Sequence, residues 1–440
     1  MSNSGARILA NPSSSLRGTV RVPGDKSISH RSIMFGSLAE GTTKVRGFLE
    51  GEDSLATLSA FRAMGVEISD PNNGELEIQG VGMQGLKKPA TPLDLGNSGT
   101  SMRLMAGVLA GQNFDSVLVG DPSLTKRPMS RVAAPLSLMG GQVITAEKGC
   151  PPLEIKGGER LVGIEYPMPI ASGQVKSCLL LAGLYAQGET AVIEPAPTRD
   201  HTERMLSAFG YDVKVDGRRV SLKSGGQLKA CDLDVPADIS SATFFMVAAA
   251  ISEDADLLLT HVGMNPTRDG VIQILKLMGA DLTLENERMV GGEPLADVRV
   301  RSSTLTGVEI PVELVPLAID EFPALFVAAA CAEGQTMLTG AEELRVKESD
   351  RIQAMADGLN EIGVKAIALP DGMKIIGGSK IKGGKVKSHG DHRIAMSFAV
   401  AGIRSKKTIE IADCENVATS FPNFVELAQK LGMNIEVCEE

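Results

Sequence analysis

The 440-residue sequence predicts an α/β protein made of six small repeated units in two domains. Six apolar segments each end at a glycine, and these glycines are Gly65, Gly140, Gly210, Gly279, Gly363 and Gly432. They recur at intervals of roughly 70 to 85 residues, which is too long for a solenoid repeat and suits a small unit of helices and strands. The two halves of the chain also share a motif, described below, so we expect three units in each domain.

Each unit is predicted to contain a buried helix, a surface helix and several strands. Residues 242–251 and 323–331 are apolar on nearly every side, which is typical of buried helices. The segments before the six glycines carry a single apolar stripe, as at Leu55, Leu58 and Phe61, which indicates surface helices with glycine C-caps. Alternating runs such as 43–46 and 190–193 predict half-buried strands.

The motif Val-Pro-x-Asp occurs at 22–25 and again at 235–238. Because proline disfavours helix and stiffens the chain, both segments suit crossings between two domains. One domain would then contain residues 21–236, and the other residues 237–440 together with 1–20.

Composition excludes several classes of function. The net charge is −10, tryptophan is absent and only 3% of residues are aromatic, so we expect no nucleic-acid partner. No apolar run approaches the roughly 18 residues that span a bilayer, and the polar start at 1–5 has no signal-peptide core, so we expect no membrane partner. Six scattered cysteines without a C-x-x-C pair indicate reduced thiols, as in the cytoplasm. The histidines lack metal-binding spacing, so no metal is expected.

Basic residues gather where helices are predicted to start, although the helix dipole disfavours cations there. They are Lys26, Arg31, Lys126, Arg127, Arg199, Arg268, Lys347, Arg351 and Arg393. Such placement makes sense if an anion is held by the cation and the free amides together, which predicts a cleft for phosphates and carboxylates. The alternative for each residue is a surface charge or a salt bridge to Asp200, Asp269 or Asp350.

Two adjacent acids, Asp320 and Glu321, directly precede an apolar helix. They could be ordinary helix caps. Beside a cluster of cations, however, a carboxylate stays ionised near neutral pH and can act as a base, and Glu348 could relay a proton. Both interpretations remain open from spacing alone.

Five motifs together resemble one enzyme family. They are residues 23–31, 95–103, 127–128, 345–351 and 390–396, and they resemble the 3-phosphoshikimate 1-carboxyvinyltransferases, or EPSP synthases, nearly from end to end. The resemblance implies an inverse α/β prism of six βαβαββ repeats, three per domain, with ligands in the interdomain cleft. It also implies transfer of the enolpyruvyl group of phosphoenolpyruvate to the 5-hydroxyl of shikimate 3-phosphate, with release of phosphate and without a cofactor.

The resemblance also implies the site residues. Those expected to contact shikimate 3-phosphate are Lys26, Ser27, Arg31, Ser172, Gly173, Gln174 and Arg199. Those expected in the phosphoenolpyruvate pocket are Lys26, Gly99, Arg127, Arg351 and Arg393. Asp320 resembles the acceptor of the 5-hydroxyl proton, Lys347 a substrate contact, and Glu348 the acid that handles the methylene proton, so Asp320, Glu348 and Lys26 are the expected catalytic residues.

Some features relate the chain to one branch of this family and distinguish it from other proteins. Gly173 stands where many relatives have Ser or Ala, and residues 198–201 and 343–346 resemble the branch called class II. The UDP-N-acetylglucosamine 1-carboxyvinyltransferases are disfavoured because the loop 120–128 has no cysteine, and a non-catalytic anion-binding relative is disfavoured because Asp320, Glu348 and Lys26 are intact. The resemblance further implies a monomer that glyphosate inhibits.

Overall fold

The computed structural model describes residues 6–378 and 380–438, so the polar start at 1–5 lies outside the described residues. The chain divides into two compact units. The first unit contains Gly24–Val235 together with the short segment Val290–Gly292. The second unit contains the chain up to Pro23, Pro236–Met289 and the chain from Glu293 onward. The chain therefore passes between units at Pro23 and again at Val235, inside the two Val-Pro-x-Asp motifs.

Twelve α-helices lie in the described residues. They are α1 (Lys26–Leu38), α2 (Glu52–Ala63), α3 (Gly99–Ala110), α4 (Ser130–Leu138), α5 (Gly173–Gly183), α6 (His201–Ala208), α7 (Ile239–Ile251), α8 (Gly270–Leu277), α9 (Phe322–Cys331), α10 (Arg351–Glu361), α11 (His392–Ala401) and α12 (Phe424–Leu431). Within those residues, no helix is both long and apolar enough to cross a bilayer.

The odd-numbered helices are the buried helices that the sequence predicts. Every residue of α7 is buried, and so is every residue of α9 except the last. Five of these six helices begin at a residue whose side chain accepts a hydrogen bond from a backbone amide of the first turn, while α9 has no such cap. The first turns of these helices are therefore fixed by the sequence itself.

The even-numbered helices bury one face and end as predicted. In α2, for example, Thr57, Leu58 and Phe61 are buried, whereas Arg62 is exposed. The six predicted closing glycines all have positive φ, with values of 88°, 91°, 80°, 90°, 89° and 107°. Glycine adopts this left-handed conformation without steric cost, so the predicted C-caps are confirmed.

The described residues contain 24 strands, most of them short. They are β1 (Arg7–Asn11), β2 (Ser15–Val20), β3 (Ala39–Arg46), β4 (Glu67–Ile68), β5 (Leu76–Val81), β6 (Leu93–Asp94), β7 (Ser116–Val119), β8 (Gln142–Thr145), β9 (Leu153–Lys156), β10 (Glu165–Pro167), β11 (Glu189–Ile193), β12 (Val213–Asp216), β13 (Arg219–Lys223), β14 (Leu228–Lys229), β15 (Leu233–Asp234), β16 (Asp254–Gly263), β17 (Asp281–Val290), β18 (Glu293–Arg301), β19 (Gln335–Leu338), β20 (Lys365–Leu369), β21 (Gly372–Ile376), β22 (Gly384–Lys387), β23 (Ile409–Ala412) and β24 (Asn434–Cys438).

These strands form three sheets in each unit. The first unit has the orders β14-β3-β5-β4, with β15 also paired to β3, then β6-β7-β9-β8 and β10-β11-β13-β12. The second unit has β17-β18-β16-β2, β19-β21-β20 and β22-β23-β1-β24. Each unit has its own hydrophobic core, which contains the buried helices. Three sheets and three helix pairs per unit match the six-fold repetition predicted from the glycines.

Candidate functional site

In the first unit, basic residues gather at the starts of α1 and α6. The guanidinium of Arg31 donates through Nε to Thr202 Oγ1 (2.8 Å), through Nη2 to Ser177 Oγ (2.8 Å) and through Nη1 to the carbonyl of Ser27 (2.9 Å). Arg199, two residues before α6, donates from Nη1 to Ser27 Oγ (3.4 Å). The structure thus brings Ser27, Arg31 and Arg199 together, and buried hydroxyls fix the orientation of Arg31.

Local sequence explains why these side chains stand at helix starts. Asp25 caps α1 by accepting from the amide of Ile28 (2.8 Å), which places Lys26 and Ser27 in the first turn. The ammonium of Lys26 forms an ion pair with the buried Asp53 of α2. Free amides and the helix dipole make such a first turn favourable for an anion.

The start of α5 adjoins the same group. Ser172 caps α5 by accepting from the amide of Val175 (3.3 Å). A Cβ added at Gly173 would lie 3.5 Å from the Cβ of Arg199, which is an ordinary contact, so the site has room for a small side chain there. Gln174, the next residue, accepts from Arg103 Nη1 through Oε1 (2.6 Å).

A second basic group surrounds the start of α3. Arg127 donates from Nη2 to Asn97 Oδ1 (2.8 Å), and Gln174 donates from Nε2 to Thr100 Oγ1 (2.9 Å). A Cβ added at Gly99 would lie 3.1 Å from Arg103 Nη1 and 3.3 Å from Arg127 Nη1. Glycine therefore lets two guanidinium groups approach the first turn of this helix closely.

In the second unit, charged residues converge on Asp320. Its Oδ1 lies 3.3 Å from Arg351 Nη1 and 3.4 Å from Lys347 Nζ, and its carbonyl accepts from Arg393 Nη1 (3.1 Å). Glu321 occupies the N-cap position of α9 but makes no capping hydrogen bond. The pair is therefore not an ordinary cap.

Arg351, the first residue of α10, organises this cluster from within. It is buried, and it donates from Nε to Asp391 Oδ2 (2.8 Å) and from Nη2 to Glu348 Oε2 (2.7 Å). Burial opposes the charge of Arg351, but Asp391, Glu348 and Asp320 outweigh it and raise the pKa of the guanidinium. Burial likewise opposes ionisation of Asp391, but Arg351 holds the pKa of that carboxyl below its usual value.

Two of the basic residues predicted at helix starts have a different setting. Arg268 is buried, and its Nη2 lies 3.0 Å from Asp238 Oδ1 and donates to Ser240 Oγ (2.6 Å), so its partner is Asp238 rather than one of the three acids considered from the sequence. Lys126 is exposed at the end of a 3₁₀ turn. Their helices also start later than predicted, α4 at Ser130 and α8 at Gly270, because irregular turns precede both.

The sequence analysis did not select three residues that the structure adds to these clusters. Arg103 lies four residues after Gly99, and that spacing puts two residues on one helix face, so periodicity could have identified it. Asp391 was included only as a member of the motif 390–396, although its burial beside Arg351 makes it the main counter-ion. Nothing in the sequence near Asp53 indicates that it pairs with Lys26.

Comparison with protein-family models matches residues 10–427 to EPSP synthase (3-phosphoshikimate 1-carboxyvinyltransferase). A curated 3-phosphoshikimate 1-carboxyvinyltransferase of Methylococcus capsulatus is 66% identical over 428 residues, which cover 97% of this chain and 98% of that protein. The protein of the same name from Hydrogenovibrio crunogenus is 63% identical over 445 residues, and the alignment covers 100% of this chain and 100% of that protein.

A solved structure agrees with the fold. The EPSP synthase of Acinetobacter baumannii superimposes with a TM-score of 0.90 at 61% identity, covering 99% of this chain and 100% of that chain. The fold class predicted from the repeats and the motifs is thereby confirmed, as is the resemblance itself. By its family match and its identity to these transferases, the chain belongs to the EPSP synthase family.

Proposed function

We propose that the chain transfers the enolpyruvyl group of phosphoenolpyruvate to the 5-hydroxyl of shikimate 3-phosphate, yielding 5-enolpyruvylshikimate 3-phosphate and phosphate. This is a step of aromatic amino acid biosynthesis. The observation that carries the proposal is the cluster at Asp320, where a carboxylate contacts Arg351 and Lys347 and a second carboxylate, Glu348, contacts the same guanidinium. Two acids among cations can exchange protons with bound anions, as this addition and elimination requires.

The first unit supplies the basic residues for the phosphate groups. Lys26, Ser27, Arg31, Ser172, Gly173, Gln174 and Arg199 would bind shikimate 3-phosphate. The direct contacts between Ser27, Arg31 and Arg199 support this grouping. Gly99 and Arg127 would bind phosphoenolpyruvate, together with Lys26. Support comes from the close approach of the guanidinium of Arg127 to Gly99 at the first turn of α3, where the positive end of the helix dipole also favours an anion.

The second unit supplies the proton transfers. Asp320 would accept the proton of the 5-hydroxyl as its oxygen adds to C2, while C3 takes up a proton from Glu348. Phosphate then leaves from the tetrahedral intermediate as C3 gives a proton back. Arg351 and Arg393 would complete the phosphoenolpyruvate pocket, and Lys347 would contact the substrate. Their positive charges would also stabilise the negative charge of the transition state.

Further expectations accompany this assignment. Neither a cofactor nor a metal takes part in this scheme. We also propose that the two units are the two three-repeat domains expected from the sequence, that the protein acts in the cytoplasm as a monomer, and that glyphosate competes with phosphoenolpyruvate.

The test is phosphate release by the purified protein with shikimate 3-phosphate and phosphoenolpyruvate, omitting each in turn. We expect phosphate to be released only when both substrates are present. The amount of phosphate should equal the amount of the enolpyruvyl product, which mass spectrometry identifies. A parallel reaction with UDP-N-acetylglucosamine as acceptor should release no phosphate. Release with phosphoenolpyruvate alone, or only with the nucleotide sugar, would refute the assignment.

A further inference from the structure

A buried chain of polar side chains connects α1 to the start of α3 within the first unit. His30 of α1 is fully buried, and its Nδ1 lies 2.8 Å from Thr57 Oγ1 of α2. Thr57 Oγ1 lies 2.6 Å from Ser101 Oγ of α3, which in turn lies 2.7 Å from Ser98 Oγ. We call these four residues the His30 chain. None of them has a role in the function proposed above.

The hydrogen bonds of the His30 chain run in one direction. His30 Nε2 has no hydrogen-bond partner in the described part of the chain. Burial, together with Lys26 and Arg31, lowers the pKa of His30 well below its usual value, so the imidazole is neutral. An unpaired buried N–H group is rarer than an unpaired acceptor, which assigns the proton to Nδ1. His30 then donates to Thr57, whose hydroxyl lies 2.6 Å from Ser101 Oγ and 3.4 Å from the carbonyl of Asp53. The shorter contact assigns the Thr57 proton to Ser101, and Ser101 donates to Ser98.

The last member of the His30 chain is the cap of α3. Ser98 Oγ accepts from the amide of Ser101 (3.1 Å), and Gly99 is the first residue of the helix. The position of this first turn determines how much space separates Gly99 from the guanidinium groups of Arg103 and Arg127. A shift of a few tenths of an ångström at the cap would therefore change the geometry at Gly99.

We propose that His30 is a positioning residue for the phosphoenolpyruvate subsite: through Thr57 and Ser101 it fixes the first turn of α3 and thereby the space between Gly99 and the guanidinium groups. This inference rests on the proposed function, which puts phosphoenolpyruvate at Gly99. Arg31 donates to Thr202, Ser177 and the carbonyl of Ser27, and Ser27 Oγ accepts from Arg199, so these described hydrogen bonds do not involve the ring of His30. Loosening the His30 chain should thus affect the phosphoenolpyruvate side and leave the shikimate 3-phosphate side unchanged.

Four variants test this inference. Thr57→Val removes the central hydroxyl at constant shape, and His30→Leu removes the donor. His30→Asn keeps an N–H donor near the position of Nδ1, so it should restore most of what His30→Leu loses. Ser32→Ala is the matched control, because Ser32 is a buried hydroxyl of α1 that donates to the carbonyl of Ser29 and is no member of the His30 chain.

We expect Thr57→Val and His30→Leu to raise the KM for phosphoenolpyruvate about three- to tenfold, the effect of one lost hydrogen bond. The KM for shikimate 3-phosphate should stay within about twofold, and Ser32→Ala should match the wild type in both constants. Combining Thr57→Val with Ser101→Ala should add little, because both changes break the same chain.

A second measurement does not depend on the reaction. Amide hydrogen exchange of the unliganded protein should become faster in residues 99–102 of Thr57→Val and of His30→Leu, and unchanged there in Ser32→Ala. Equal rises in both KM values, no change in exchange at α3, or no rescue by His30→Asn would overturn the inference. A wild type that releases no phosphate would instead reject the proposed function, while the exchange result would still report on the His30 chain.

Discussion

Replacing Asp320 with asparagine separates proton transfer from substrate binding. Asparagine has nearly the same shape, and its amide oxygen can still accept from Arg351 and Lys347, but it cannot take up a proton from a hydroxyl. Arg351 keeps Asp391 and Glu348 as counter-ions, so the buried guanidinium is not left uncompensated. We therefore expect the fold and both substrate affinities to persist.

The expected loss is in turnover. General base catalysis contributes about 10²- to 10⁴-fold, so kcat should fall at least about 100-fold, or roughly 2.7 kcal/mol of transition-state stabilisation. Steady-state phosphate release gives kcat, and calorimetry gives the affinity for shikimate 3-phosphate. Glu343→Gln is the matched control, because Glu343 also pairs with Lys347 (3.0 Å) yet contacts neither Arg351 nor Arg393 through any described hydrogen bond. A kcat within tenfold of the wild type in Asp320→Asn would show that this carboxylate is not the base.

Three further perturbations follow from the structure. Asp391→Asn should lower the free energy of unfolding by about 3 kcal/mol, because it removes the main counter-ion of the buried Arg351. Asp350→Asn, at the start of the helix that Arg351 begins, is the control and should change the free energy of unfolding by less than about 1 kcal/mol. Urea denaturation measures both variants, and equal effects would contradict the assignment of Asp391 as the main counter-ion. Gly99→Ala should raise the inhibition constant of glyphosate more than the KM for phosphoenolpyruvate. The reason is that the added Cβ must displace two guanidinium groups and that glyphosate is the longer ligand. Parallel changes in the two constants would show that the space at Gly99 does not distinguish the two ligands. The pKa of His30 is lowered in the folded state, so protonation of His30 favours the unfolded chain. The free energy of unfolding should therefore fall as the pH drops below about 6.5, and be about 1.4 kcal/mol lower at pH 5.5 than at pH 7.5. Denaturation of His30→Asn at the two pH values should not show this loss, and an unchanged loss would assign the effect to other groups.

Periodicity made the fold predictable. The six closing glycines identified the surface helices because a helix that ends in a left-handed residue nearly requires glycine there. The apolar runs at 242–251 and 323–331 identified buried helices because such sequences have no polar face to expose. Irregular turns were the weak point, since a cation next to a proline at Arg127 looks like a helix start although α4 begins three residues later.

The candidate site was predictable only in part. Placement at predicted helix starts selected the basic residues, and the adjacent acid pair selected Asp320. The resemblance then gave their expected roles, but neither argument could tell which charges neutralise one another inside the protein. Arg268 shows this limit, because its partner Asp238 is 30 residues away in sequence and burial alone reveals the ion pair. The His30 chain was also beyond sequence reasoning, since three helices must pack before its hydroxyl groups meet.

The division of the chain into units has a consequence for its synthesis on the ribosome. The first unit is almost continuous and can fold once Val235 has emerged. The second unit cannot, because β1 pairs with β23 and β24 near the other end of the chain and β2 pairs with β16. At about 5 to 20 residues per second, the remaining roughly 200 residues take on the order of 10 to 40 s to synthesise. For most of that time β1 has no strand partner, whereas β2 can pair as soon as β16 has emerged.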